Sequence, residues 1–114
     1  MPENGEPAFD AAARGLAQAL LLDMIVIDRT PVTAPDKALF TDMTAWSRGI
    51  PAITTETGQL GSSDPEWVAL ALKGLENVLR HLGMVPGLAV RNEQIVWLEG
   101  FEVMASPAAG LFQG

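Results

Sequence analysis

Mid-chain the sequence runs Gly49-Ile50-Pro51-Ala52-Ile53-Thr54-Thr55-Glu56-Thr57-Gly58-Gln59-Leu60-Gly61. Residues 50–55 are apolar and β-branched, the composition of a strand buried on both faces of a parallel sheet. The run ends in a carboxylate, Glu56, and then in a polar loop over 57–63 that carries Gly58 and Gly61. In open α/β sheets the loops at the carboxyl ends of the strands form the ligand crevice. Glu56 is therefore the candidate catalytic residue, placed for acid–base work, and Thr57 and Gly58 are candidate substrate-binding residues of the loop that follows. The plainer alternative is a glutamate that caps a neighbouring helix or turns to water.

Working outward, the next segment is the clearest helix in the chain. Asp64-Pro65-Glu66 places a capping acid, a proline at the first helical position and an acid in the first turn. Val68, Ala71, Leu72, Leu75, Leu79 and Leu82 follow at helical spacing and predict an apolar face. Arg80 and His81 complement the carbonyl end of the dipole, and Gly83 closes the helix. On the other side of the central run, residues 37–47 predict a helix with Gly49 just past its end. Residues 24–27 predict a buried strand and residues 31–35 a loop. Residues 8–22 predict a helix with Phe9, Ala12, Ala13, Leu16 and Leu20 on one face. Residues 1–7 read as a loose lead-in. After Pro86-Gly87 the texture changes, and residues 88–90, 94–98 and 101–105 predict short antiparallel strands.

The order is helix, strand, helix, strand, helix and then several strands. The expected fold class is α/β: a partial parallel or mixed sheet with flanking helices over residues 1–86, followed over 87–114 by the start of a small β domain. Two parallel strands are too few to cover three helices, so the sheet is expected to have missing neighbours.

The central run resembles the strand-and-loop motif G-I-P-x-[IV]-[TV]-x-E-x-G of the succinylglutamate desuccinylase/aspartoacylase family, a branch of the zinc carboxypeptidase-like hydrolases. The likeness continues through Gly74-Leu75-Glu76-Asn77-Val78-Leu79-Arg80-His81-Leu82-Gly83-Met84 and ends at Ala105-Ser106-Pro107-Ala108-Ala109-Gly110-Leu111-Phe112. It implies a carboxypeptidase-like sheet, a zinc cofactor, and hydrolysis of the amide bond of small N-acyl amino acids. A glutamate at the position of Glu56 would serve as general acid/base. The family's zinc ligands come from an H-x-x-E motif and a later D-L-H motif, both upstream of this strand. Neither stands in this chain, so the resemblance implies no metal ligand here. The one histidine, His81, has Met84 three residues on. At Gln59-Leu60 many relatives carry more glycine.

Composition narrows the classes further. The 114 residues carry 7 basic and 14 acidic side chains, a net charge of -7. No basic stripe exists to neutralise phosphates, which argues against nucleic acid as a partner. There are no cysteines, so disulfides and thiolate metal sites are excluded. The start of the chain has neither the basic nor the apolar region of a secretory signal, and no apolar run is long enough to span a bilayer. The expected compartment is the cytoplasm, with no membrane partner. Mean hydropathy is slightly positive, and apolar surface is expected to be covered by another copy of the chain or by a missing N-terminal half.

Other candidates read as structural. Ser62-Ser63 lacks a G-x-S-x-G elbow and leads into a helix cap. Trp46, Trp67 and Trp97 lie on three separate elements, as packing residues do. An anion held by the 57–63 loop at the following helix start is disfavoured by Glu56 and Asp64, which flank the loop.

Overall fold

The computed structural model describes residues 1–30, 34–59 and 61–110. Three α-helices and a two-stranded parallel sheet make a mixed α/β arrangement. The expected loop at 31–35, the Gln59-Leu60 step and the terminal Leu111-Phe112 of the family-like segment lie wholly or partly outside these residues.

Helix α1 spans Pro7–Ala19, with proline in its first turn, where a missing N–H is harmless. Asp10 reaches back from that turn and accepts hydrogen bonds from the amides of Asn4 and Gly5, at 2.9 and 3.2 Å. Leu21 ends the helix in the left-handed region (φ 61°), an unusual conformation for a bulky side chain. The core is the inner face of α1 against strand β1 (Met24–Ile27). Phe9, Ala13, Ala17, Leu20, Ile25 and Ile27 are all buried. Ala12, expected on that face, is exposed, and Leu16 is half-buried.

A 3₁₀ turn at Pro35–Lys37 and helix α2 at Thr41–Trp46 replace the single helix expected over 37–47. Extended backbone at Ala38 and Phe40 separates them. Gly49, at φ 71°, closes α2 as expected: its amide bonds Trp46 O, and the Ile50 amide bonds Ala45 O.

The strand expected over 50–55 does not form. These residues run without a ladder, fastened where the Trp46 indole N–H donates to Ala52 O at 2.9 Å. Beside them, residues 1–3 hold part of the edge of β1. Met1 N donates to Val26 O, Asp28 N to Met1 O and Glu3 N to Asp28 O. Residues 1–3 are thus a parallel β-bridge partner, with Pro2 opposite Asp28, rather than a loose lead-in.

Helix α3 covers Pro65–His81, starting at the proline after Asp64 and ending before Gly83; Asp64 stands at the cap position, but its carboxylate makes no cap hydrogen bond and accepts from the Ser62 hydroxyl instead. Its inner face is small and polar. A Cβ on Gly74 would lie 2.6 Å from Leu20 O, and one on Gly15 of α1 would lie 3.0 Å from His81 Nε2, so the two helices touch backbone to side chain. The apolar face that the spacing predicts points outward: Val68, Leu72, Leu75, Leu79 and Leu82 are all exposed.

Strand β2 (Val96–Glu99) pairs with β1 in parallel, Met24 opposite Val96 and Ile27 opposite Glu99. The antiparallel strands expected over 88–90, 94–98 and 101–105 reduce to this one parallel strand among the described residues. The expected boundary at residue 86 has β2 on its far side, yet β2 belongs to the sheet of β1. Two asparagines explain its direction. Asn77, 2% exposed, donates to Ala19 O and Val90 O and accepts from the Val90 amide. Asn92 donates to Leu22 O and Asp23 Oδ1, while its own amide bonds Gln18 O. Together they bring the chain back to the start of β1, and β2 then runs the same way.

Candidate functional site

Glu56 opens onto a cleft of about 790 Å³ at the carboxyl end of β1. Asp28, Asp42 and Thr54 line the polar side; Phe40, Trp46 and Phe101 are the aromatic walls. Each polar group is placed by its element. Asp28 directly follows β1, and its Oδ1 accepts from the amide and hydroxyl of Thr30, at 2.8 and 2.5 Å. Asp42 sits in the first turn of α2, accepting from the Met43 amide and, at 2.5 Å, from the Thr54 hydroxyl. That last contact ties α2 to the run carrying Glu56. Glu56 itself is exposed.

The cleft is acidic, and among the described residues its one lining cation is the Met1 ammonium, which donates to Val26 O at 2.7 Å. Burial lowers the pKa of that amine, partly opposed by the charges of Asp28, Asp42 and Glu3. Chemically, the arrangement offers an accessible carboxylate that can take a proton from water, beside apolar walls that can hold a small organic group.

Thr57 and Gly58 do not line this cleft. Thr57 faces a cavity of about 70 Å³ between the end of α1 and α3, lined by Leu20, Leu22 and Gly74. Gly58 turns at φ 86°, with the Trp67 ring 3.6 Å from where its Cβ would be. Ser62 bonds Asp64 at 3.1 Å in the loop ahead of α3, as a polar lead-in does. Asp28 and Asp42 belong to the cleft although no sequence motif marks them. The one local signal is the position of Asp28, first after a β-branched run.

Among the described residues no three His, Cys, Asp or Glu side chains gather to hold a metal ion. His81 packs against Gly15, on α1. The residues present therefore do not fit a zinc site by themselves. No helix among the described residues is long and apolar enough to cross a membrane. Comparison with protein-family models, with curated proteins and with solved structures finds no match to this chain.

Proposed function

We propose that this chain is the C-terminal part of a cytoplasmic, zinc-dependent hydrolase that cleaves the amide of N-acyl amino acids, with Glu56 as general acid/base. The reading rests on the family-like run over 49–61, and one observation carries it: Glu56 of that run is exposed and lines a cleft. In this reading the α/β part is carboxypeptidase-like, and the residues after β2 lead into the family's β domain. Glu56 takes a proton from the attacking water and delivers it to the departing amine, leaving a carboxylate and an amine. The zinc ligands belong to upstream residues outside this chain, and the role of Glu56 is proton transfer alone. In the protein that also carries the H-x-x-E and D-L-H segments, Glu56→Gln lowers turnover of an N-acyl amino acid by roughly 10²–10⁴-fold with zinc content unchanged. A variant that keeps its rate with zinc bound overturns the assignment.

A second reading has its own support. The outward stripe of α3, with Leu72 61% and Leu75 54% exposed, fits a non-catalytic remnant that docks on another chain or on the missing N-terminal half. A chain that sediments as a strict monomer and binds no apolar dye counts against it.

A further inference from the structure

The outer face of α3 carries a repeat of its own. Val68, Leu72, Leu75, Leu79 and Leu82 follow one another at steps of four, three, four and three residues. All five are exposed among the described residues, Leu79 least, at 37%. Steps of four and three in strict turn are those of a two-helix seam, where each side chain enters a hole between side chains of the facing helix. The seam is about 21 Å long, and no polar residue falls on it. The helix that bears it is already held in place. Gly74 lies close against Leu20 O at the end of α1, and Asn77 bonds Ala19 O and Val90 O. A partner therefore meets a formed helix and bears little of the cost of ordering it.

We propose that a second copy of this chain covers this face, the two α3 helices packing antiparallel across a two-fold axis. Self-complementarity is the first argument. With the axis level with the step from Lys73 to Gly74, Val68 meets Leu79 of the second copy and Leu72 meets Leu75 of the second copy. The two-fold then repeats each contact. Charge is the second argument, and it fixes the direction. The start of α3 is acidic, with Asp64 and Glu66, and its last turn carries Arg80. Antiparallel packing sets Glu66 level with the basic end of the other helix and pairs the two helix dipoles favourably. Parallel packing sets Glu66 beside Glu66 and Arg80 beside Arg80. Lys73, at mid-helix, stands near its copy in both arrangements and does not choose between them. The seam is short, so the dimer belongs with the weaker interfaces, with a Kd on the order of 10 μM. The proposal goes beyond the hydrolase reading; it rests on the outward stripe of the docking reading and names the occupant. A Glu56→Gln enzyme that keeps its rate leaves it untouched.

The experiment is sedimentation equilibrium of the 114-residue chain from about 1 to 500 μM, in about 0.15 M salt to screen the repulsion between two acidic copies. A monomer–dimer equilibrium is expected, and the double variant Leu72→Lys, Leu75→Lys is expected to stay monomeric throughout. Below the association range the same variant should unfold at nearly the parent urea midpoint, because the seam faces water in the single chain. A parent chain that stays monomeric overturns the proposal, and so does a double variant that still dimerises. A monomer that binds an apolar dye leaves the docking reading standing with another occupant; one that binds none removes both. Direction is read by disulfide formation, since the chain has no cysteine of its own. Val68→Cys and Leu79→Cys chains are mixed and oxidised. The mixed disulfide is expected to exceed either symmetric one about tenfold, because antiparallel packing holds like positions too far apart to bridge. Predominance of the symmetric disulfides overturns the antiparallel pair. These small-for-large changes also decide the matter if the double lysine variant does not fold.

Discussion

Two buried positions tie α3 to the rest of the molecule, and each is sensitive to a single substitution. At Gly74 a methyl group would stand 2.6 Å from Leu20 O, a backbone atom that cannot turn aside. Alanine gains about 1 kcal/mol of helix propensity, but the clash forces α1 and α3 apart at their contact. Gly74→Ala is therefore expected to lose a net 1–3 kcal/mol, roughly the cost of overpacking, read from the urea midpoint. At Asn77 one amide side chain satisfies two carbonyls and one amide. Asn77→Ala leaves these groups inside without partners and is expected to lose about 2 kcal/mol or more. In the same variant, exchange at the Val90 amide should speed up ahead of exchange in β1. Arg29 reaches Glu3 and Glu99 together, linking residues 1–3 to the end of β2. The Arg29 hydrogen bond, first among its causes, holds the Glu99 carboxyl below its ordinary range. A depressed carboxylate pKa stabilises the fold above the unfolded value, near about 4.3, and that stability is lost as pH falls through the folded value. Both side chains are exposed, so the effect is small and screened by salt. Glu99→Gln should flatten the fall of the urea midpoint between about pH 5 and pH 3, at low salt most of all.

At the scale of elements, α3 carries the apolar face that its spacing predicts, and that face turns outward. The apolar periodicity is real, but periodicity fixes only which residues share a face, not which face turns inward. Gly74, Asn77 and His81 let α3 lie close on α1, and a leucine stripe on that side would have held the helices further apart. Leu72→Lys is accordingly expected to change the stability of this chain by no more than about 0.5 kcal/mol, as surface substitutions do. Ala13→Leu, which forces three carbons into a fully buried site on α1, is expected to cost about 1–3 kcal/mol. Chemical denaturation of the two variants side by side measures the contrast. The reverse order would mean that the stripe is core. The strand expected over 50–55 fails for a related reason. Its β-branched run is sound, but such propensity is not a partner: residues 1–3 pair with Val26 and Asp28, and residues 50–55 are fastened by the Trp46 indole instead.

The whole molecule carries more surface than its length requires. The radius of gyration is 15.9 Å, against about 13 Å for a compact domain of this length. Accessible surface is 8583 Å², against about 6,000 Å² for a compact monomer of this size. The difference is on the order of a stable protein–protein interface. It is carried by the outer face of α3 and by residues such as Leu88, Phe101, Val103 and Met104, all at least 70% exposed. The 114-residue chain is thus expected to bind an apolar dye strongly when purified alone.

Sequence by itself determined what depends on near neighbours in the chain. The proline start of α3, the strand at 24–27, the glycine stop after α2 and the candidate status of Glu56 all follow from local chemistry. The fixed φ of proline, the freedom of glycine and β-branching act within a few residues. Tertiary structure alone decided which face of α3 is buried, the parallel sense of β2, the loss of the 50–55 strand and the company of Asp28 and Asp42 around Glu56. Each of these turns on contacts between residues far apart in the chain: Asn77 with Ala19, Asn92 with Leu22, Met1 with Val26, Thr54 with Asp42. A polar side chain that serves a distant carbonyl has the same local signature as one that faces water. Only the folded chain shows which of the two it is.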